Sequence, residues 1–231
     1  MEKLQKAILK TLSYADVFDY PLTLAELRRW LITNSKLKIQ NSNLSREARS
    51  YSAGQLKIQN LIHEGKVQEF AGFYFPKNRK EIIDLRKKRE KWSQVKLKIA
   101  LKVARWLKLI PFIKMVAVTG NLAMNNSDKE DDIDLLIIAS ENRLWLTRFL
   151  TVLLVELVAR RRRPGDKDVE DKICLNMFLD EDHLEIPEKE QDLFSAHEVC
   201  QLKPIWSKDN VYQEFITQNQ WYQKFLPNWK P

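Results

Sequence analysis

The chain has 231 residues, 44% of them hydrophobic and 30% charged, which allows one or two domains with real cores and excludes an extended disordered protein. Its net charge of +8 and pI ≈ 9.3 favour polyanionic partners. Two cysteines without metal spacing, no continuous apolar signal region in MEKLQKAILKTL, and a most apolar stretch (Phe149 to Val155) too short for a bilayer lead to the expectation of a reduced, cytoplasmic protein with no membrane partner.

Residues 1–77 read as a small helical domain ending in a hairpin. Leu4, Ile8 and Leu12 give a first helix stripe, broken at Phe18-Asp19-Tyr20-Pro21. Thr23-Leu24-Ala25-Glu26 is a capping box, in which the Thr hydroxyl and the Glu carboxylate satisfy the first free amides of a second helix carrying Leu24, Leu27 and Leu31. A polar loop is expected over Asn34 to Ser45 and a third helix from about Ser50 to His63. Lys66–Phe70 and Phe73–Phe75 flank Ala71-Gly72 as a hairpin. Three helices and a two-stranded wing resemble a winged helix. That resemblance implies nucleic-acid contact through the third helix, with Arg46, Arg49 and Lys57 near it, or a protein-docking or spacer module.

Residues 78–110 are rich in Lys and Arg, while Leu97, Ala100, Leu101, Ala104 and Leu107 recur at helical spacing. The stretch reads as one long or two shorter helices linking the domains. Its basic face either is solvated or tracks a phosphate backbone.

From Lys114 to Ser140 the sequence runs KMVAVTGNLAMNNSDKEDDIDLLIIAS. It predicts an apolar strand (Met115 to Val118), a tight turn at Thr119-Gly120-Asn121, a polar loop, and a second apolar strand (Ile133 to Ile138). Side chains two apart on a strand share a face, so Asp132 and Asp134 project together while Ile133 and Leu135 pack inward. Two adjacent carboxylates repel unless a cation sits between them, which suggests a Mg²⁺ site. Gly120-Asn121, a spacer, and Asp132-Ile133-Asp134 running into an apolar strand resemble the signature of the polymerase-β-like nucleotidyltransferase superfamily. The resemblance implies that Asp132 and Asp134 hold Mg²⁺ or Mn²⁺ and align a nucleoside triphosphate for in-line attack. It also implies that Gly120 and Asn121, the latter where Ser is usual, cradle its phosphates.

Ser140 reads as the N-cap of a nearly all-apolar helix from Glu141 to about Arg161, buried against the sheet, with Arg143 and Arg148 either reaching a triphosphate or standing as surface charges. Arg160 to Arg163 complement its C-terminal dipole, and Pro164-Gly165 stop it. A third strand follows from Lys172 to Leu179. The family's third metal-binding carboxylate usually sits mid-strand here; this chain offers Asn176, with Asp171 before the strand and Asp180 after it. Helices are expected over Gln191–Leu202 and Asn210–Gln218, joined by a connector at Pro204-Ile205-Trp206. The closing aromatics pack over a core or line a nucleobase pocket; His63, His183 and His197 form no constellation.

The fold class expected is α+β: a small mixed-sheet nucleotidyltransferase core with an N-terminal winged-helix domain and C-terminal helices. Its segments are 1–77 (winged-helix-like), 78–110 (basic helical linker), 111–187 (core) and 188–231 (C-terminal helical). The function expected is transfer of a nucleoside monophosphate from an NTP to an acceptor hydroxyl. Asp132 and Asp134 would be catalytic and metal-binding, Asn176 the third metal ligand, and Gly120, Asn121 and Arg148 the nucleotide contacts. Its rival is a non-catalytic nucleic-acid-binding or regulatory protein that keeps the fold.

Overall fold

The computed structural model describes residues 3–33 and 57–231 and divides into two compact units, Met1–Lys87 with Trp221–Pro231, and Lys88–Gln220. The chain is α+β, with a three-stranded and a four-stranded sheet among the described residues. In the same residues no helix is long and apolar enough to cross a membrane.

The first unit begins with α1 (Lys3–Asp16), which buries Ala7, Ile8, Thr11, Leu12 and Ala15 at helical spacing. The Thr11 hydroxyl donates to the Ala7 carbonyl at 2.8 Å and accepts from the Ile32 amide at 2.9 Å. β1 (Leu22–Thr23) leads into α2 (Leu24–Arg29), where the Thr23–Glu26 capping box forms as expected. The described part of α3 covers 57–63; β2 (Val67–Phe70) and β3 (Phe73–Pro76) form the hairpin, and β1 adds to β3. Ala71 and Gly72 turn it with positive φ. The expected 34–45 loop, the start of the third helix, Arg46 and Arg49 lie outside the described residues.

The closing aromatics belong to this unit. Trp221, Tyr222, Leu226 and Trp229 are buried, the Thr33 amide donates to the Phe225 carbonyl, and the Asn228 side-chain amide donates to the Arg28 carbonyl at 3.1 Å. They are core, not the lining of a nucleobase site.

The boundary between the units falls inside α4 (Ile82–Leu107), a single helix. In the second unit β4 (Ile113–Val118), β5 (Ile133–Ala139), β6 (Ile173–Asp180) and β7 (Lys203–Ser207) form a mixed sheet of order β6-β5-β4-β7. β5 and β6 are parallel and the other pairs antiparallel. β7 corrects the expected connector: Pro204 sits at an edge, opposite Ala117 where the register slips, so its missing N–H breaks no interior ladder.

One sheet face carries Val116, Val118, Ile133, Leu135, Ile137 and Ile173. It packs on Ala100, Val103, Ala104 and Leu107 of α4 and on Val155 of α6 (Leu144–Val158). α6 is shorter than expected and is not capped by Ser140. The chain first turns through Asn142 at φ 57, and after Val158 it becomes extended at Ala159. Nor is it buried all round. A helix presses only one stripe on a sheet, here Thr147, Thr151 and Val155, while Trp145, Phe149, Leu153 and Leu157 are exposed. α5 (Gly120–Ala123), α7 (Leu193–Gln201) and α8 (Val211–Gln218) complete the unit.

Candidate functional site

The other face of the sheet follows from parity. Asp134 and Leu136 of β5 alternate with the buried Leu135 and Ile137, and Cys174 of β6 lies directly opposite Asp134. Val118 pairs with Leu135 and the Thr119 amide donates to the Asp134 carbonyl at 3.1 Å, which places Thr119 opposite Asp134 on that face. An oxygen of Asp132, an oxygen of Asp134 and the Cys174 sulfur lie within 4.8 Å of one another.

Gly120, at φ 60, opens α5. A Cβ built there would meet an Asp134 carboxylate oxygen at 3.3 Å, so a glycine answers both the left-handed backbone and the close approach. The Asn121 side chain donates toward Asp131 at 3.4 Å and so lies along the following loop.

That loop is fastened from α4. Arg89 reaches Asp128 at 3.3 Å, the Ser93 hydroxyl accepts from the Ser127 amide at 3.0 Å, and the Lys96 ammonium donates to the carbonyls of Lys129 and Asp131 and to Asp171 at 2.7–2.9 Å. Positions 89, 93 and 96 are neighbours on one helix face. Part of the basic run is therefore internal structure and is neither a solvated face nor a phosphate track; Arg86 and Lys96 are both buried.

The electrostatics are those of crowded acids. Burial, and then the neighbouring Asp132 charge, hold Asp134 above the usual carboxylate range, offset in part by the neighbouring Cys174 thiol and by the Arg162 charge. Burial, and then Asp134, push the Cys174 thiol up to about 12. Arg162 binds Asp132 at 2.5 Å, and that hydrogen bond raises the guanidinium further. Burial lifts the pKa of Glu198 of α7, the nearby Gly120 amide offsets part of that, and the Asp134 charge adds to it.

The structure brings together Asp132, Asp134 and Gly120. It does not bring Arg148 there: its guanidinium lies 5.4 Å from the Phe178 ring centroid, and Phe178 packs on the core of the opposite sheet face. Asn176 is displaced because the β5–β6 register slips between Leu135 and Leu136. Met177 pairs with Leu136, leaving Asn176 as the extra, exposed residue, and the third-strand group beside the aspartates is Cys174. Asp171 is held by Lys96, and Asp180 accepts from the Asn142 amide at the far end of β6.

Arg162, Cys174 and Glu198 were missed. Cys174 shares parity with Asn176 and was legible in that pattern. Arg162 was expected to complement the C-terminal dipole of a helix reaching about Arg161; that helix ends at Val158, and residues 160–162 run beside β6, with Ile173 bonded to Arg160 and Arg162. Nothing local marks Glu198.

A structure described as "Crystal structure of the toxin-antitoxin with AMP-PNP" is similar at 14% identity and a TM-score of 0.31, over 55% of this chain and 88% of that one. No protein-family model matches, and no curated protein does.

The donor set suits a divalent cation. Ion–ligand distances of about 2.0–2.5 Å can close the span between the three groups. On the same face the Thr119 hydroxyl is buried, with no hydrogen-bond partner among the described residues.

Proposed function

We propose that this chain is a divalent-metal-dependent nucleotidyltransferase that moves a nucleoside monophosphate from an NTP to an acceptor hydroxyl. The observation that carries the reading is the pairing of Asp132 with Asp134 at the mouth of β5, with the Gly120 backbone against them. Two carboxylates this close, one of them largely desolvated, favour a bound cation. Asp132 and Asp134 would hold Mg²⁺ or Mn²⁺. Bound there, the ion supplies positive charge against the triphosphate oxygens. Gly120 lets the triphosphate approach the backbone, Asn121 lies at its edge, and Arg162 adds a cation beside Asp132. The acceptor hydroxyl loses its proton to solvent as its oxygen bonds to the α-phosphorus, and the bond to pyrophosphate breaks.

A second reading has its own observation: the Gly120 amide, which this chemistry would offer to a phosphate, stands close enough to the Glu198 carboxyl to offset part of its raised pKa. A chain in which that contact persists is a regulatory or nucleic-acid-binding protein on the same fold. Calorimetric titration with Mg²⁺ and each NTP separates the two. Micromolar, metal-dependent binding, lost in Asp132→Asn and in Asp134→Asn with the fold intact, is the expected result. Absence of binding at millimolar nucleotide, or unchanged affinity in both variants, refutes the nucleotidyltransferase.

A further inference from the structure

We propose that Cys174 completes the cation site of Asp132 and Asp134 as a direct sulfur ligand, making it a site for thiophilic divalent ions of the Zn²⁺, Cd²⁺ and Co²⁺ class. The inference rests on the aspartate pair of the nucleotidyltransferase reading, but not on the reaction.

Register is the first ground. Cys174 lies opposite Asp134 on the neighbouring parallel strand, and its sulfur and the two carboxylates share a 4.8 Å cluster. Where the resemblance leads one to expect a hard oxygen ligand on this strand, the slip in register removes Asn176 and leaves sulfur. Hard ions such as Mg²⁺ take oxygen ligands, whereas thiolate selects softer ones.

Thr119 is the second and independent ground. The residue is 7% exposed, it lies opposite Asp134 on the same face, and its hydroxyl has no hydrogen-bond partner among the described residues. A buried hydroxyl left unpaired is costly, and a ligating carboxylate or a metal-bound water would satisfy it. The charges also balance. Two carboxylates and a thiolate carry three negative charges against one divalent ion and the Arg162 guanidinium. On binding, the sulfur–metal bond forms, the S–H bond breaks, and the proton leaves to solvent.

The test titrates the full chain with Cd²⁺ and reads the ultraviolet thiolate-to-cadmium charge-transfer band. Cys200→Ala removes the other thiol, so a band in that variant belongs to Cys174. The expected result is a band in the wild type and in Cys200→Ala, and none in Cys174→Ser or Cys174→Ala. Cadmium affinity should fall by about 100-fold or more in the Cys174 variants. A folded Cys200→Ala chain without the band, or a band that persists in Cys174→Ser, overturns the proposal; the first needs no change at Cys174. Calorimetry with Mg²⁺ and ATP on Cys200→Ala runs beside it. Nucleotide binding without the band sinks the sulfur ligand and leaves the nucleotidyltransferase. A band without nucleotide binding does the reverse.

Discussion

Arg86 and Lys96 sit on the same helix and are both buried, yet they are held by different chemistry. Arg86, in the first unit, donates to both Glu26 oxygens at 2.8 and 2.9 Å and to the Pro21 carbonyl, with the Tyr20 and Phe73 ring centroids 4.2 and 4.8 Å away. Its flat fork fits a carboxylate edge and its faces fit rings. Lys96, in the second unit, has three donors and meets three acceptors, two of them backbone carbonyls. Each cation is matched in number and in shape, so neither replaces the other, and a run that reads as uniform positive charge contains two internal ties.

Lys96→Met should show the larger effect. It leaves two carbonyls and Asp171 without their cation, and breaking a buried pair from one side costs roughly 3–5 kcal/mol. A fall in melting temperature of about 10 °C is expected. Arg86→Lys keeps the charge and loses the fork and the ring contacts, at about 1–3 kcal/mol by urea denaturation. If Arg86→Lys melts like the wild type, shape is not what holds Glu26.

Acid sharpens the contrast. Burial alone would raise Glu26, but hydrogen bonds and charge from Arg86, with help from Thr23, outweigh it and hold the carboxyl below 4.5. Its contribution is therefore present above pH 4.5 and lost as pH falls through the folded value. The stability gap between wild type and Glu26→Gln should close in that window. Carbonyls hold no proton there, so the Lys96→Met gap should close less. The second unit has a separate acid response in His197, which desolvation depresses from 6.5 to about 4. The unfolded chain takes that proton first, so its stability contribution is present above pH 6.5 and lost toward pH 4. His197→Gln should flatten that part of the melting profile.

The smallest effect belongs to the exposed lysines of α4. Replacing Lys87, Lys88 and Lys91 with Gln should change stability by less than about 0.5 kcal/mol. If they contact nucleic acid, the log–log salt slope of oligonucleotide binding, read by anisotropy, should fall by about two units. An unchanged slope retires that contact. Arg86 and Lys96 are unsuited to this test because their loss unfolds structure.

The central strands were legible because MVAV and Ile133–Ile138 are short, nearly continuous apolar runs set off by a turn and a polar loop, and the Thr23–Glu26 cap because its signal is local. The failures share a cause: each depended on partners distant in sequence. β7 is a strand only because β4 offers an edge, and Cys174 replaced Asn176 only because a register slipped. Arg86 and Lys96 read as solvent-facing until Glu26, Lys129, Asp131 and Asp171 are placed around them. Even there a trace existed, since Arg89, Ser93 and Lys96 share a helix face with a small polar residue in the middle.

The loop over 124–132 has no regular secondary structure, yet the amides of Asn126, Ser127, Asp128 and Asp131 are all hydrogen-bonded, one of them to Ser93 of α4. Amides of that kind exchange with solvent only when their acceptors separate, and for Ser127 separation requires the loop to leave the helix. In deuterium exchange the segment should therefore report with α4 and β5, on the slow clock of partial unfolding, and not with the turn at Gly165. Asp132 follows directly from that tethered loop, so the position of its carboxylate is renewed each time the domain folds and is not searched for on each encounter with a ligand.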